Sequence, residues 1–252
     1  MCREVMVGPD GRATGVSYID TKTRREVTVN ARVVVLAASC CETARLMLNS
    51  KSSSFPNGIA NSTGLVGKYI MDTVGSSVNG YLPILEDLPP ANDDGVGGMH
   101  MYMPWWLYQE QKAGKMPFSR GYHVELGGGR GMPGAGIFGG SHNILGGGYG
   151  KELKRDIRKI YGANVHFAGR GEMIPNEDSY CEIDPVTVDR WGIPVLRFHF
   201  KWSQDEILQA KHMQNTFEEI ITAAGGKVTS RSGDPRWVAS PAAAKSSTAI
   251  RN

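Results

Sequence analysis

At 252 residues, 40% of them apolar and 21% charged, the chain has the composition of globular protein and length enough for one large domain or two small ones. Its 28 Lys and Arg nearly cancel 25 Asp and Glu, leaving +3, and the cations are scattered along the sequence, which argues against nucleic acid as a partner. No stretch approaches the ~20 apolar residues of a membrane span. The start, Met1-Cys2-Arg3-Glu4, has no apolar signal core, and Cys2, Cys40, Cys41 and Cys181 show neither a CxxC pair nor a disulfide framework. A soluble protein with reduced thiols and no metal site, cytoplasmic or periplasmic, is expected.

The first thirty residues alternate as a β meander, with Val5 and Val7, a turn at Gly8-Pro9-Asp10-Gly11, then Val16, Tyr18 and Ile19, then Val27 and Val29. Val33-Val34-Val35-Leu36-Ala37-Ala38 is a continuous apolar run, the pattern of a central parallel strand covered on both faces. Ser39 and Glu42 have the spacing of a capping box, so a helix is predicted to start there and to fade at Asn49-Ser50. From Gly95 to Gly150 glycine is dense, including Gly127-Gly128-Gly129 and Gly146-Gly147-Gly148, which predicts loops and short strands.

Leu153, Ile157 and Ile160 mark a short surface helix over Lys151 to Tyr161. Strands are predicted around Val165–Ala168, Tyr180–Ile183 and Ile193–Trp202, together a two-faced antiparallel sheet. Ser203-Gln204-Asp205-Glu206 repeats the capping-box signature ahead of Ile207, Ala210, Met213, Phe217, Ile220, Ile221 and Ala224, the longest amphipathic stripe in the chain, which Gly225-Gly226 stops. Beyond Val228 the sequence has no periodicity and reads as a tail.

Motifs with chemistry are few. Two GxGxxG matches, Gly129–Gly134 and Gly134–Gly139, lack the strand before and the helix after that a dinucleotide site needs. The six histidines show no metal-ligand spacing. His123 and Glu125 fall on one strand face beside the glycine belt, as ligand-facing residues or simply as the polar outer face that alternation predicts. Glu172, in Gly169-Arg170-Gly171-Glu172-Met173 near a strand end, points into a cleft or pairs with Arg170 at the surface. Cys40 and Cys41 read as small packed residues rather than reactive thiols.

Four stretches resemble the glucose-methanol-choline oxidoreductase family, and more narrowly its gluconate-dehydrogenase-like bacterial branch. They are Val33–Ser39 running into Glu42-Thr43-Ala44-Arg45-Leu46-Met47-Leu48-Asn49-Ser50; Gly64-Leu65-Val66-Gly67-Lys68-Tyr69-Ile70-Met71-Asp72; Gly171-Glu172-Met173-Ile174-Pro175; and Trp191-Gly192-Ile193-Pro194-Val195-Leu196-Arg197. The first looks like the family's second signature, with Ser39 where many members have glycine. The resemblance implies an FAD enzyme oxidising CH–OH groups of alcohols, sugars or sugar acids. It places Ala38 and Ser39 near the ADP half of FAD, with the backbone of Cys2 approaching adenine.

In this family the pyrophosphate is held by an N-terminal GxGxxG and the base is a histidine in a C-terminal His-x-x-Gly-Thr stretch. Neither motif occurs here, so the resemblance implies a fragment, inactive alone, with missing N- and C-terminal segments as its partners and no catalytic residue assigned. The expected fold is thus α+β with an α/β portion: part of an FAD-binding domain (1–75), an antiparallel-sheet substrate domain with helices on one face (76–226) carrying His123, Glu125 and Glu172, and a tail (227–252). The alternative is a non-catalytic β-rich module that binds a carbohydrate or a partner through Trp105-Trp106 and the glycine belt.

Overall fold

The protein was analysed as a computed structural model that describes residues 1–89, 101–129, 145 and 148–235. Its architecture is α+β, in two units: Met1–Met71 with Pro175–Lys201, and Asp72–Ile174 with Trp202–Trp237.

In the first unit, β1 (Cys2–Val7), β2 (Ala13–Ile19) and β3 (Glu26–Asn30) form an antiparallel meander in the order β1-β2-β3. The β1–β2 turn closes through Gly8 N–H donating to Arg12 O at 2.9 Å, with Gly11 at φ +76. Helix α1 (Ser39–Asn49) packs on β1, where the Ser50 hydroxyl accepts from Val5 N at 2.8 Å and donates to Leu46 O at 2.6 Å. Strands β8 (Tyr180–Val188) and β9 (Pro194–His199) form a separate hairpin.

Two expectations here are corrected. Val33 to Ala38 is not a strand: no described backbone pairs with it, and Val33 and Val35 are 75% and 80% exposed. An apolar run predicts a covered strand only where neighbours supply the ladder and the cover. The capping box at Ser39 does not form either. Ala38 is the N-cap without a side-chain bond, and Ser39 itself sits at φ +70, outside the β-region backbone from which a serine oxygen reaches the next amides. The Thr43 hydroxyl instead accepts from Ala38 N at 3.2 Å.

The second unit is an antiparallel sheet of β4 (Val74–Tyr81), β5 (Met101–Met103), β6 (Tyr122–Gly128), β7 (Asn164–Gly171) and β10 (Lys227–Arg231), in the order β10-β4-β7-β6-β5. Lys227–Arg231, expected in the tail, pairs with β4; chain beyond 235 lies outside the described residues, as do both GxGxxG matches from Arg130 on and the second glycine triplet as far as Gly147.

Helix α2 (Tyr108–Lys112) is short, α3 (Gly150–Ile160) is amphipathic with Ile157 and Ile160 buried, and α4 (Gln204–Ala223) covers one sheet face. The α4 capping box forms as expected: Asp205 N donates to the Ser203 hydroxyl at 3.2 Å, and Ser203 N donates to Glu206 Oε2 at 2.6 Å. Gly225 at φ +73 ends the helix, with Gly226 N donating to Ile221 O. Met213, Phe217 and Ile221 of α4 are fully buried, as are Val74, Val78 and Val124 of the sheet, and the Phe217 ring stacks on Phe167 of β7 at 5.5 Å between centroids.

Glycines set how closely α4 approaches. A Cβ at Gly80 would lie 2.8 Å from Ile221 side-chain atoms, and one at Gly169 2.8 Å from Met213 Cγ. The two faces of the sheet therefore differ: Val165, Phe167, Tyr122 and Val124 are buried, while His166, Arg170 and His123 are exposed on the other side.

Candidate functional site

The sheet alternation that buries Tyr122 and Val124 under α4 turns His123 and Glu125 to the opposite side of β6. The register sets His123 beside Arg170 of β7, and Tyr122 beside Gly171. Glu172 follows directly where β7 ends. Around this end of the sheet lies a cavity of about 670 Å³ lined by Thr73, Pro104, Trp105, Gly121, Tyr122, His123, Glu125, Arg170, Gly171 and Glu172. All three residues expected to face a substrate, separated by up to 49 positions in sequence, thus line one space.

Glu125 Oε2 accepts from Arg170 Nε at 3.3 Å, and Glu125 Oε1 lies 3.7 Å from His123 Nε2. Arg170 therefore pairs with Glu125, not with Glu172. Glu172 is exposed and has no partner among the described residues. A carboxylate with both oxygens open accepts hydroxyl donors.

An aromatic cluster backs the cavity. Trp105 lies 4.7 Å from Tyr122, 5.9 Å from Phe118 and 6.0 Å from His212 between ring centroids. Its close approach depends on Gly121, where a Cβ would come within 2.8 Å of the indole. Tyr122 Oη is 2.8 Å from His212 Nδ1. Burial pushes the Tyr122 phenol up to about 12, only partly opposed by its bond to Thr216, and burial pulls His212 below its ordinary value. At neutral pH the phenol keeps its proton and shares a hydrogen bond with Nδ1, so the pair supports the cavity wall from behind.

Trp105, Tyr122 and Arg170 complete the wall. The sequence marked Trp105 only as part of an aromatic pair and Arg170 only as a surface partner; the buried side of an alternating strand hides a residue such as Tyr122 that also reaches a strand end.

No family model matches this chain. Two curated relatives do. Over 240 residues the chain is 28% identical to a 2-methyl-1,2-propanediol dehydrogenase of Mycolicibacterium austroafricanum, covering 90% of this chain and 41% of that protein. Over 241 residues it is 26% identical to a gluconate 2-dehydrogenase flavoprotein of Pantoea cypripedii, covering 88% of this chain and 35% of that one. The chain thus spans about two fifths or less of the length of these relatives.

The residues expected to face a cofactor lie in the other unit. Cys2 opens the edge strand β1, its thiol 3.7 Å from Ser17 O and pushed up by burial. Ala38 and Ser39 form the entry to α1, whose first turn has no side-chain cap.

The same unit shows what the family-like stretches do for each other. Arg45, 6% exposed, donates from Nε to Pro194 O at 2.7 Å and from Nη2 to Asp189 Oδ2 at 2.8 Å and Ile193 O at 3.0 Å, and lies 3.3 Å from Glu42. Gly67 O accepts from Cys181 N at 2.7 Å, and Ile70 N donates to Ser179 O at 2.8 Å. Arg45 thus ties the first stretch to the fourth, a scaffold role that a helix pattern read alone does not reveal.

A second cavity, of about 610 Å³, is lined by Lys151, Lys154, Arg155, Arg158 and Lys159 of α3 with Asp87. The cations expected to be scattered are therefore locally gathered, because positions 151, 155 and 158 repeat on one helix face. Among the described residues no group of His, Cys, Asp and Glu is placed to hold a metal, and no helix is long and apolar enough to cross a membrane.

Proposed function

We propose that this chain is the substrate-receiving part of an FAD-dependent oxidoreductase of glucose-methanol-choline type, acting on a CH–OH group of an alcohol, sugar or sugar acid. What carries the reading is the meeting of His123, Glu125 and Glu172 on one cavity, in a chain 90% of which aligns with a diol dehydrogenase. In this role the carboxylates accept hydroxyl protons as hydrogen bonds and orient the substrate, His123 and Arg170 hold Glu125 in place, and Trp105 supplies an apolar wall.

Cys2, Ala38 and Ser39 are the residues proposed to meet the ADP half of FAD. When bound, FAD supplies the hydride acceptor. The base that takes the hydroxyl proton is assigned to none of the residues here and is expected from the part of the longer relatives outside the aligned stretch.

Expressed with excess FAD, the chain is expected to retain well under one flavin per molecule and to show no bleaching with alcohols. Expressed together with the remaining length found in its relatives, it is expected to be yellow and to bleach. Stoichiometric flavin with alcohol-driven bleaching in the chain alone would overturn this division of roles.

Trp105 in the cavity wall, 5.4 Å from Trp106 between ring centroids, favours one other reading, a carbohydrate-binding module without redox chemistry. Sugar binding by a protein that takes no flavin at either length would select it.

A further inference from the structure

We infer that the cavity at the end of the five-stranded sheet is built for a neutral polyhydroxyl ligand and discriminates against its carboxylate counterpart. The inference rests on the reading of this cavity as the substrate site and narrows its substrate class.

The charge on the wall carries the argument. The described lining holds two carboxylates, Glu125 and Glu172, against one guanidinium, Arg170. One nitrogen of that guanidinium is engaged: its Nε donates to Glu125 at 3.3 Å. The wall thus has one carboxylate more than it has guanidinium groups, and Glu172 has no partner among the described residues. An anion entering this space meets a like charge on Glu172 to which no described cation is paired. A polyol meets the reverse. Its hydroxyls are donors, a carboxylate is an acceptor with two open oxygens, and bonds to a charged acceptor are the stronger kind. Its C–H faces have Trp105 and Pro104 to rest against.

Sorbitol and gluconate test this, since the two differ at one end by a hydroxymethyl against a carboxylate and otherwise carry the same hydroxyl chain. Calorimetric titration of the whole chain at pH 7, at matched ionic strength, is expected to show sorbitol binding at least about tenfold more tightly than gluconate. Glu172→Gln, at an exposed position where folding is not at risk, is expected to narrow that gap by strengthening gluconate, and Arg170→Gln to widen it; circular dichroism checks that both variants fold. Gluconate binding as well as sorbitol, or a gap unmoved by Glu172→Gln, overturns the selectivity while leaving the cavity as a binding site. Absence of binding by either compound overturns the substrate-site reading itself, and the selectivity with it.

Discussion

Ser39 adopts φ +70, a backbone region in which a Cβ costs on the order of 1 kcal/mol and glycine costs little. The residue type and its conformation disagree, and the disagreement falls at the turn proposed to face the cofactor. Ser39→Gly is therefore expected to raise stability by about 0.5–1 kcal/mol, read as a higher denaturation midpoint at unchanged slope. A loss of stability would mean that the Ser39 side chain makes a contact that outweighs the strain. This residue also shows why a motif can mislead: the Ser-x-x-Glu spacing is present at both 39–42 and 203–206, yet only Ser203, with an extended backbone at ψ 177, forms the box. Side-chain spacing was legible in both places; the φ angle of the first residue was not. The cavity residues behaved similarly. His123 and Glu125 stood out because alternation puts them on one face, whereas the partnership of Glu125 with Arg170 depends on β6–β7 register, which no local pattern encodes.

At the scale of elements, α4 was the most legible part of the chain because cap, apolar stripe and stop agree with one another. What the stripe did not reveal is how close the helix comes to the sheet. That distance is set from the other side, by Gly80, Gly169 and Gly171 on strands β4 and β7. Gly169→Ala would set a methyl 2.8 Å from the Cγ of Met213, which is fully buried and has little room to withdraw. The substitution is expected to cost roughly 1–3 kcal/mol by overpacking. A melting temperature equal to that of the parent would show that α4 is held less tightly than this. The same closeness has a bearing on the cavity, since Gln209 on α4 donates to Arg120 O at 2.6 Å and so fixes the backbone leading into Gly121 and Tyr122.

At the scale of the whole molecule, each unit carries one group that limits its stability at low pH and one that limits it at high pH. Burial opposes ionisation of both Asp189 and Glu206, but Arg45 and the amides of Ile193 and Trp191 hold the first below its ordinary 3.8, and Ser203 and the amide of Ile174 hold the second below 4.5. A carboxyl depressed in the folded state stabilises fully above its unfolded pKa, and that contribution is lost as pH falls through the folded value. Burial raises Cys181 to about 11 and Tyr122 to about 12, from 9.0 and 10.0. For these the unfolded chain ionises first, so stability falls as pH rises past 9. Urea titrations across pH are thus expected to show a plateau between about 4.5 and 9 with declines on both sides; a steady rise from 9 to 11 would contradict the burial of both groups.

The bare valines ahead of α1 affect how the isolated protein behaves in a tube. Val33 and Val35 present exposed apolar side chains on a segment whose backbone pairs with nothing described, features that favour chain-to-chain association. Light scattering of the purified chain is expected to rise with concentration and with incubation time, and Val35→Lys to suppress the rise without shifting the melting temperature. A solubilising charge there is the first change to make before any binding measurement.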